Sequence, residues 1–270
     1  MKQLSIFISL LSFLAFASCG EYQKVMKSGD NEYQLEKAIE YYDNEEYEKA
    51  YSLFDNLLQV YRGTKEAAKV YWYYAETSFK MEDYILAAYH YQNFAKTFGE
   101  HPRAEKAYFK IGLSQSKQSP RPSLDQSYTH KAMNSLQLFV NLYPSSDLLT
   151  KANELMDDLR QKLEEKAFQR AKLYYDIENY QSAVAAFNNV LDQYPDTQFR
   201  QKVMFFRTKA AYLLAQGSIP SKKQQRFIEA RTSYREFIRS FPDSPYTEEV
   251  NKLKKNIDQK LDAYDRETNS

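Results

Sequence analysis

The sequence predicts an all-α protein: a solenoid of helical hairpins with about five irregular repeats and a closing C-terminal helix. Three observations support this prediction. The 270 residues include only 6 Gly and 8 Pro, too few for the many tight turns of a β-rich fold. One spacing of small, aromatic and apolar residues returns five times along the chain. After the last copy comes an amphipathic stretch that contains neither Pro nor Gly.

The recurring pattern is an Ala, an aromatic residue or Leu four positions later, an apolar residue three positions after that, and a helix stop five positions further on. Steps of four and three keep side chains on one helical face, so each copy predicts the buried stripe of an amphipathic helix. At most of the stops a Pro or Gly ends the helix. The copies are Ala50-Phe54-Leu57-Arg62, Ala87-Tyr91-Phe94-Gly99, Ala132-Leu136-Phe139-Pro144, Ala183-Phe187-Val190-Pro195 and Ala230-Tyr234-Phe237-Pro242.

A second helix is predicted before most copies, because a polar turn precedes the repeat Ala. The turns are Glu45-Glu46-Tyr47, Glu82-Asp83-Tyr84 and Glu178-Asn179-Tyr180. Upstream of them stand Ala38, Ala75 and Ala171, small residues that let two helices approach closely. Small residue, turn, Ala, aromatic residue and Pro in this order are the tetratricopeptide pattern. The sequence therefore predicts tetratricopeptide-like repeats over residues 32–245.

The repeats are irregular, since successive copies stand further apart than the roughly 34 residues of the regular motif. We place the surplus in a loop at residues 118–123, in a long first helix of repeat four at residues 147–175, and in an insertion at residues 216–221 of repeat five. Residues 246–270 are predicted to form a capping helix and tail. Their apolar stripe covers the open end that a solenoid otherwise exposes.

Residues 1–18 predict a lipoprotein signal peptide. Residues 4–16 are mostly apolar, and two small residues directly precede Cys19. The apolar run is shorter than the roughly 20 residues of a membrane-spanning helix. Cys19 is the only cysteine, and its position favours lipidation over two alternatives, a signal-peptide cysteine without a role and a stray buried thiol. We expect the mature chain to begin at Cys19, with residues 19–31 as a lipidated tether to the membrane.

The motifs of enzymes and metal proteins are absent from the sequence. There is no Gly-rich phosphate loop, no His-Glu-x-x-His and no Gly-x-Ser-x-Gly. His90, His101 and His130 are scattered without ligand spacing, so we expect surface or packing roles for them. The formal net charge of +1 provides no overall field that attracts nucleic acid. We expect no catalysis, no cofactor, no bound metal and no nucleic-acid partner.

Three segments carry a resemblance to a known family. They are residues 98–102 (Phe-Gly-Glu-His-Pro), 107–112 (Ala-Tyr-Phe-Lys-Ile-Gly) and 193–197 (Gln-Tyr-Pro-Asp-Thr). Together with the lipobox-like start and the repeats, they resemble the BamD family of the β-barrel assembly (BAM) machinery. The resemblance implies a lipoprotein held by its lipid anchor on the periplasmic side of the outer membrane. It also implies two kinds of partner, a BamA-like assembly protein and unfolded outer-membrane β-barrel proteins.

The partner-binding surface of such a solenoid is a groove lined by the first helices of its repeats. Aligning the small residues of repeats one and two puts six residues on the face turned away from the paired helix: Leu35, Ile39, Tyr42, Trp72, Glu76 and Phe79. Of these, Tyr42, Trp72, Glu76 and Phe79 are the predicted partner contacts. Our hypothesis is that these residues form part of a peptide-binding face, with Trp72, the only Trp, as a main contact. The alternative is that the aromatic side chains pack between helices.

Two other functions fit the same architecture. One is a lipid-anchored repeat scaffold for division, pilus assembly or gliding, which differs only in its partner. The other is a nutrient-binding lipoprotein of the outer surface, in which aromatic side chains stack on sugar rings. Such binders usually carry large loop-rich insertions, whereas this chain has two modest ones. A glycan-binding assay separates the nutrient-binding function from the other two.

Overall fold

The computed structural model describes residues 20–268, which form helices and turns without a strand. From residue 31 onward the helices are α1 (Asn31–Asp43), α2 (Tyr47–Val60), α3 (Ala67–Lys80), α4 (Tyr84–Thr97), α5 (Ala104–Lys117), α6 (Ser127–Leu142), α7 (Leu149–Asp176), α8 (Tyr180–Gln193), α9 (Arg200–Gln216), α10 (Pro220–Ser240) and α11 (Thr247–Thr268). Within the described residues α1 pairs with α2, α3 with α4, α5 with α6, and α9 with α10. The C-terminal part of α7 shares a core with α8 and so forms the fourth hairpin, and α11 follows the fifth. The prediction of an all-α hairpin solenoid of tetratricopeptide type is confirmed.

The hairpin turns adopt one conformation in repeats one, two and four. Glu45, Glu82 and Glu178 have positive φ values of 63°, 61° and 60°. This left-handed conformation reverses the chain within a few residues, although it strains a residue that has a Cβ. In repeat two the carboxylate of Asp83 then caps the second helix by accepting a hydrogen bond from the N–H of Leu86 (3.0 Å). The polar turn residues of the sequence thus end one helix and begin the next.

The recurring stripe forms the core, as its spacing predicts. Its fully buried members are Ala50, Phe54, Leu57, Ala87, Tyr91, Phe94, Ala132, Leu136, Phe139, Ala183, Phe187, Ala230 and Phe237. The small residues of the first helices, Ala38, Ala75 and Ala171, are also fully buried. Burying one Phe or Leu side chain contributes about 1.5–3 kcal/mol, so this stripe stabilises each hairpin against its neighbour.

The chain divides into two compact units. Within the described residues, the first comprises residues 20–120 together with Gln126–Leu159, and the second comprises Arg121–Asp125 and residues 160–268. The first unit therefore holds α1 to α6 and the start of α7, and the second holds the rest of α7 and α8 to α11. Each unit has its own aromatic core, around Phe54 and Tyr91 in the first and around Phe187 in the second.

The segment assigned to a tether differs from a simple linker over its described part. Residues 20–26 are helical, and Val25 is fully buried in the core of the first repeat. The side-chain amide of Gln34 donates hydrogen bonds to the backbone oxygens of Val25 (3.0 Å) and Ser28 (2.7 Å). These bonds tie the C-terminal end of the short helical segment to α1, so the stretch is packed against that helix. Cys19 and the predicted signal peptide lie outside the described residues.

The surplus length of repeat five lies mainly in its helices, which corrects the insertion placed at residues 216–221. Only residues 217–219 separate α9 from α10, while these helices have 17 and 21 residues, against 14 in each helix of repeat two. In the sequence, Pro220 predicts a loop at this point. Pro is favoured at the first position of a helix, where its missing N–H has no partner to lose, and Pro220 begins α10 in this way.

The C-terminal helix closes the second unit. Helix α11 packs on α10 and α9 and buries Val250, Ile257 and Leu261. Leu253 and Tyr264 are partly buried beside them. The predicted capping helix is confirmed, and its apolar stripe covers the end of the last repeat.

Candidate functional site

The four predicted partner-binding residues lie on the first helices of the first two repeats. Tyr42 is on α1, and Trp72, Glu76 and Phe79 are on α3. Tyr42 and Phe79 occupy equivalent positions, four residues after the fully buried small residue of each helix. The two positions are therefore equivalent in register, but the prediction that this face is turned away from the paired helix is wrong. The Tyr42 ring lies 5.7 Å from that of Tyr47 on α2, and the Phe79 ring lies 5.4 Å from that of Tyr84 on α4.

Glu76 is the centre of a buried polar cluster. The residue is 8% exposed, and its carboxylate accepts hydrogen bonds from the Tyr91 hydroxyl (2.8 Å) and the Lys110 ammonium. Lys110 Nζ lies 2.7 and 2.8 Å from the two carboxylate oxygens. Burial lowers the pKa of Lys110, although Glu76 opposes that shift, and burial raises the pKa of Tyr91 well above its usual value. The cluster links α3, α4 and α5.

Trp72 packs between helices, as the alternative interpretation has it. The side chain is 6% exposed, with ring-centroid distances of 5.8 Å to Tyr91 and 5.4 Å to Phe94 in edge-to-face geometry. The Arg103 guanidinium lies 5.2 Å from the indole. These contacts fill the space between α3, α4 and α5. Direct contact between Trp72 and a partner stays a prediction.

Tyr42 and Phe79 are only half-buried, so part of each ring faces solvent. The Tyr42 ring lies 5.2 Å from that of Tyr73 in edge-to-face geometry. Burial, and then the nearby Glu76 carboxylate, raises the pKa of Tyr42, so this phenol is neutral at physiological pH. The Lys110 ammonium lies 4.6 Å from the centre of the Phe79 ring. The Glu76 cluster therefore holds the Phe79 ring in place through the Lys110 ammonium.

This arrangement presents two aromatic rings that a partner can cover. Two half-exposed rings are held in place by neighbouring rings and a buried ion pair, so little side-chain entropy is lost when a partner covers them. Lys110 and Tyr91 were not predicted as members of this site. The signal for Lys110 was a lysine among the apolar residues of segment 107–112, which a buried carboxylate has to balance.

The second unit carries a similar aromatic surface, which was not predicted from the sequence. Tyr175 stands four residues after Ala171, the position that Tyr42 and Phe79 hold in their repeats. Its ring lies 5.3 Å from that of Phe206, and the Lys172 ammonium lies 4.7 Å from the Phe206 ring. The same register would have found Tyr175, had it been extended to repeat four.

The described residues offer no metal centre or membrane-spanning element. Among residues 20–268, no three His, Cys, Asp or Glu side chains are grouped so that they could hold a metal ion. Within the same range no helix has both the length and the apolar character needed to cross a bilayer. His90 packs against Tyr74, with ring centroids 4.2 Å apart, and His101 packs against Phe94.

Comparison with known proteins gives one family match. The sequence model of the family YfiO, described as an outer membrane lipoprotein, matches residues 29–226. No curated protein matches the chain. Among solved structures, the TPR2AB domain of yeast Sti1 in its pHSP90 complex has 13% sequence identity and a TM-score of 0.40. That alignment covers 84% of this chain and 98% of the yeast chain.

Proposed function

Since the chain belongs to YfiO, the outer-membrane lipoprotein family of BamD, we propose that it acts as a scaffold in the β-barrel assembly machinery. In this role it docks on a BamA-like assembly protein and receives unfolded outer-membrane β-barrel proteins for folding and insertion. The observation that carries the proposal is the family match over residues 29–226, which spans the first four repeats and reaches into the fifth. The hairpin solenoid supports it, because stacked repeats present extended surfaces that suit extended partners.

The proposal includes a lipid anchor at Cys19 on the periplasmic side of the outer membrane. A single acyl chain binds a bilayer only weakly, whereas two or more chains hold a protein stably. Replacing Cys19 with Ala should leave the chain as an unprocessed precursor that lacks the fatty-acid mass. Mass spectrometry of the purified protein checks this. An unmodified Cys19 in the mature wild-type protein contradicts the anchor.

We propose further that Tyr42 and Phe79 form the part of the first unit that contacts an extended substrate segment. Both rings are partly exposed, and aromatic residues held in a fixed position are the usual main contributors to binding energy. Trp72 supports this surface through its packing between α3, α4 and α5. A Trp72→Ala variant loses a large buried side chain, and such a loss costs about 3–5 kcal/mol of stability. Phe79 is therefore the better position for testing binding.

Photo-crosslinking tests the substrate surface. A photoreactive amino acid is placed at Tyr42, at Phe79 or at the control position Tyr89, which lies on α4 in the same unit and is 56% exposed. Unfolded barrel proteins should crosslink from positions 42 and 79 and not from position 89. In a binding assay, Phe79→Ala should weaken the affinity by about 1–2 kcal/mol, while Tyr89→Ala leaves it unchanged. Equal crosslinking from all three positions contradicts the proposed surface.

A further inference from the structure

A groove in the first unit lies apart from the Glu76 cluster. It forms where the first helices of repeats one and two meet the turn that connects these repeats, and its volume is about 740 Å³. The residues that line it are Glu32, Leu35, Glu36, Ile39, Tyr61, Glu66 and Lys69. None of them belongs to the surface around Tyr42 and Phe79.

The floor of the groove is apolar and held in place by the core. Leu35 is 6% exposed and belongs to the core of repeat one. Ile39 and Tyr61 are partly buried and pack against the same core. A groove with such a floor can take up one or two apolar side chains of a partner without rearranging.

The rim of the groove is acidic and its carboxylates are available. Glu32, Glu36 and Glu66 are exposed, and within the described residues none of the three forms an ion pair. Burial, and then the carboxylates of Glu32 and Glu66, raises the pKa of the Tyr61 phenol, so the negative field reaches the floor. Among the lining residues Lys69 is the single cation.

The distribution of charge decides which occupant fits. The rim carboxylates are not grouped as metal ligands, since no such group occurs within residues 20–268. Anionic headgroups and a C-terminal carboxylate are repelled by three carboxylates. A cationic side chain is attracted, and it gains most when an apolar neighbour reaches the floor at the same time.

We propose that this groove docks an extended segment of a partner protein in which Lys or Arg side chains flank an apolar side chain. The basic groups pair with the carboxylates of Glu32, Glu36 and Glu66, and the apolar side chain rests on Leu35, Ile39 and Tyr61. This recognition does not depend on the barrel-assembly partners, because it follows from the groove alone.

A peptide-binding titration tests the proposal with purified protein. The basic probe is a fluorescein-labelled, C-terminally amidated peptide, Gly-Ser-Lys-Leu-Arg-Phe-Gly-Ser. The acidic probe is the same peptide with Glu in place of Lys and Arg. Fluorescence anisotropy should show binding of the basic probe only. The triple variant Glu32→Gln/Glu36→Gln/Glu66→Gln should weaken that binding by about tenfold or more. The matched triple variant Glu48→Gln/Glu154→Gln/Asp157→Asn removes the same charge elsewhere in this unit and should change binding by less than about twofold.

A second variant tests whether the apolar floor of the groove contributes to binding. Ile39→Ser should weaken the basic probe severalfold while the fluorescence spectrum of Trp72 stays that of the folded unit. Binding of the acidic probe as tight as that of the basic probe overturns the proposal. An equal loss in both triple variants, or no binding of the basic probe to the wild-type protein, overturns it too.

Discussion

Lys110 on α5 places its ammonium 2.7 Å from the carboxylate of Glu76 on α3, which joins the first helices of repeats two and three through a buried ion pair. The hydroxyl of Tyr91 on α4 completes the cluster at 2.8 Å. A buried pair of this kind stabilises a fold only when both partners are present, because each charge alone is costly to bury. Lys110 of this pair also contacts the Phe79 ring. It therefore belongs both to the buried ion pair and to the support of the proposed binding surface.

Removing one partner of this pair should destabilise the first unit. Glu76→Ala leaves the Lys110 ammonium without its carboxylate, and we expect a loss of about 3 kcal/mol in the free energy of unfolding. The double variant Glu76→Leu/Lys110→Met should lose less, since neither charge is then buried. Urea unfolding followed by the fluorescence of Trp72, the only Trp, reports on this unit. A loss below about 0.5 kcal/mol, as in an exposed control such as Glu154→Ala, contradicts the account.

Gly112 is required by the contact between α5 and α6. A Cβ at Gly112 would stand 2.6 Å from Leu136 Cγ and 3.2 Å from the Leu136 backbone N. Gly112→Ala should therefore destabilise the first unit by about 1–3 kcal/mol, through overpacking. Gly99→Ala is the control, because its Cβ meets only the Ala95 carbonyl oxygen at 3.5 Å. Equal midpoints of urea unfolding for the two variants would show that the helices separate at little cost.

The left-handed turn residues store strain that Gly would release. Glu82 has a φ of 61°, a conformation that Gly adopts without its Cβ meeting the backbone. Glu82→Gly should raise the stability of the first unit by about 0.5–1 kcal/mol, and Glu45→Gly should act in the same direction. Glu82→Ala keeps the Cβ and should give no gain. Thermal unfolding compares the three variants, and a Gly variant no more stable than the Ala variant refutes the explanation.

His90 should make the first unit sensitive to acid. Burial is the main cause that lowers its pKa to about 4, and Asp55 and Asp83 oppose the shift. The unfolded chain then binds a proton near pH 6.5 while the folded chain stays neutral, so stability is complete above that pH and is lost as the pH falls toward 4. We expect a loss of about 1–2 kcal/mol at pH 4, because water screens the partly exposed ring and reduces the effect of the full shift. His90→Gln should flatten this dependence in urea titrations at several pH values. If the free energy of unfolding of the variant depends on pH as it does in the wild-type protein, other groups cause the acid sensitivity.

The fold could be predicted from the sequence because the repeat stripe depends only on the spacing of residues within each helix. Ala87, Tyr91 and Phe94 share a helical face wherever the helix lies, and all three are buried in the structure or nearly so. The insertion in repeat five was misplaced for a related reason. Pro220 breaks the pattern in sequence, yet Pro is compatible with the first position of a helix, so α10 begins where a loop was expected.

The candidate site was only partly predictable, because its contacts cross between repeats. The register placed Tyr42 and Phe79 correctly on their helices. It did not show that Lys110 reaches Glu76, since that contact depends on how α5 packs against α3 and not on spacing within either helix. Trp72 stood out through its rarity, but rarity carries no information on exposure, and its indole is buried.

Isolation of the lipid-anchored protein from detergent-solubilised membranes tests the central claim most directly. Mass spectrometry of the co-purifying proteins should find a large outer-membrane barrel protein with periplasmic repeat domains, the BamA-like partner. The same barrel protein should be recovered with a Tyr89→Ala variant, which leaves the proposed surfaces intact. Recovery of a division complex, a pilus assembly or a sugar transporter in place of the barrel protein would contradict the assignment to barrel assembly.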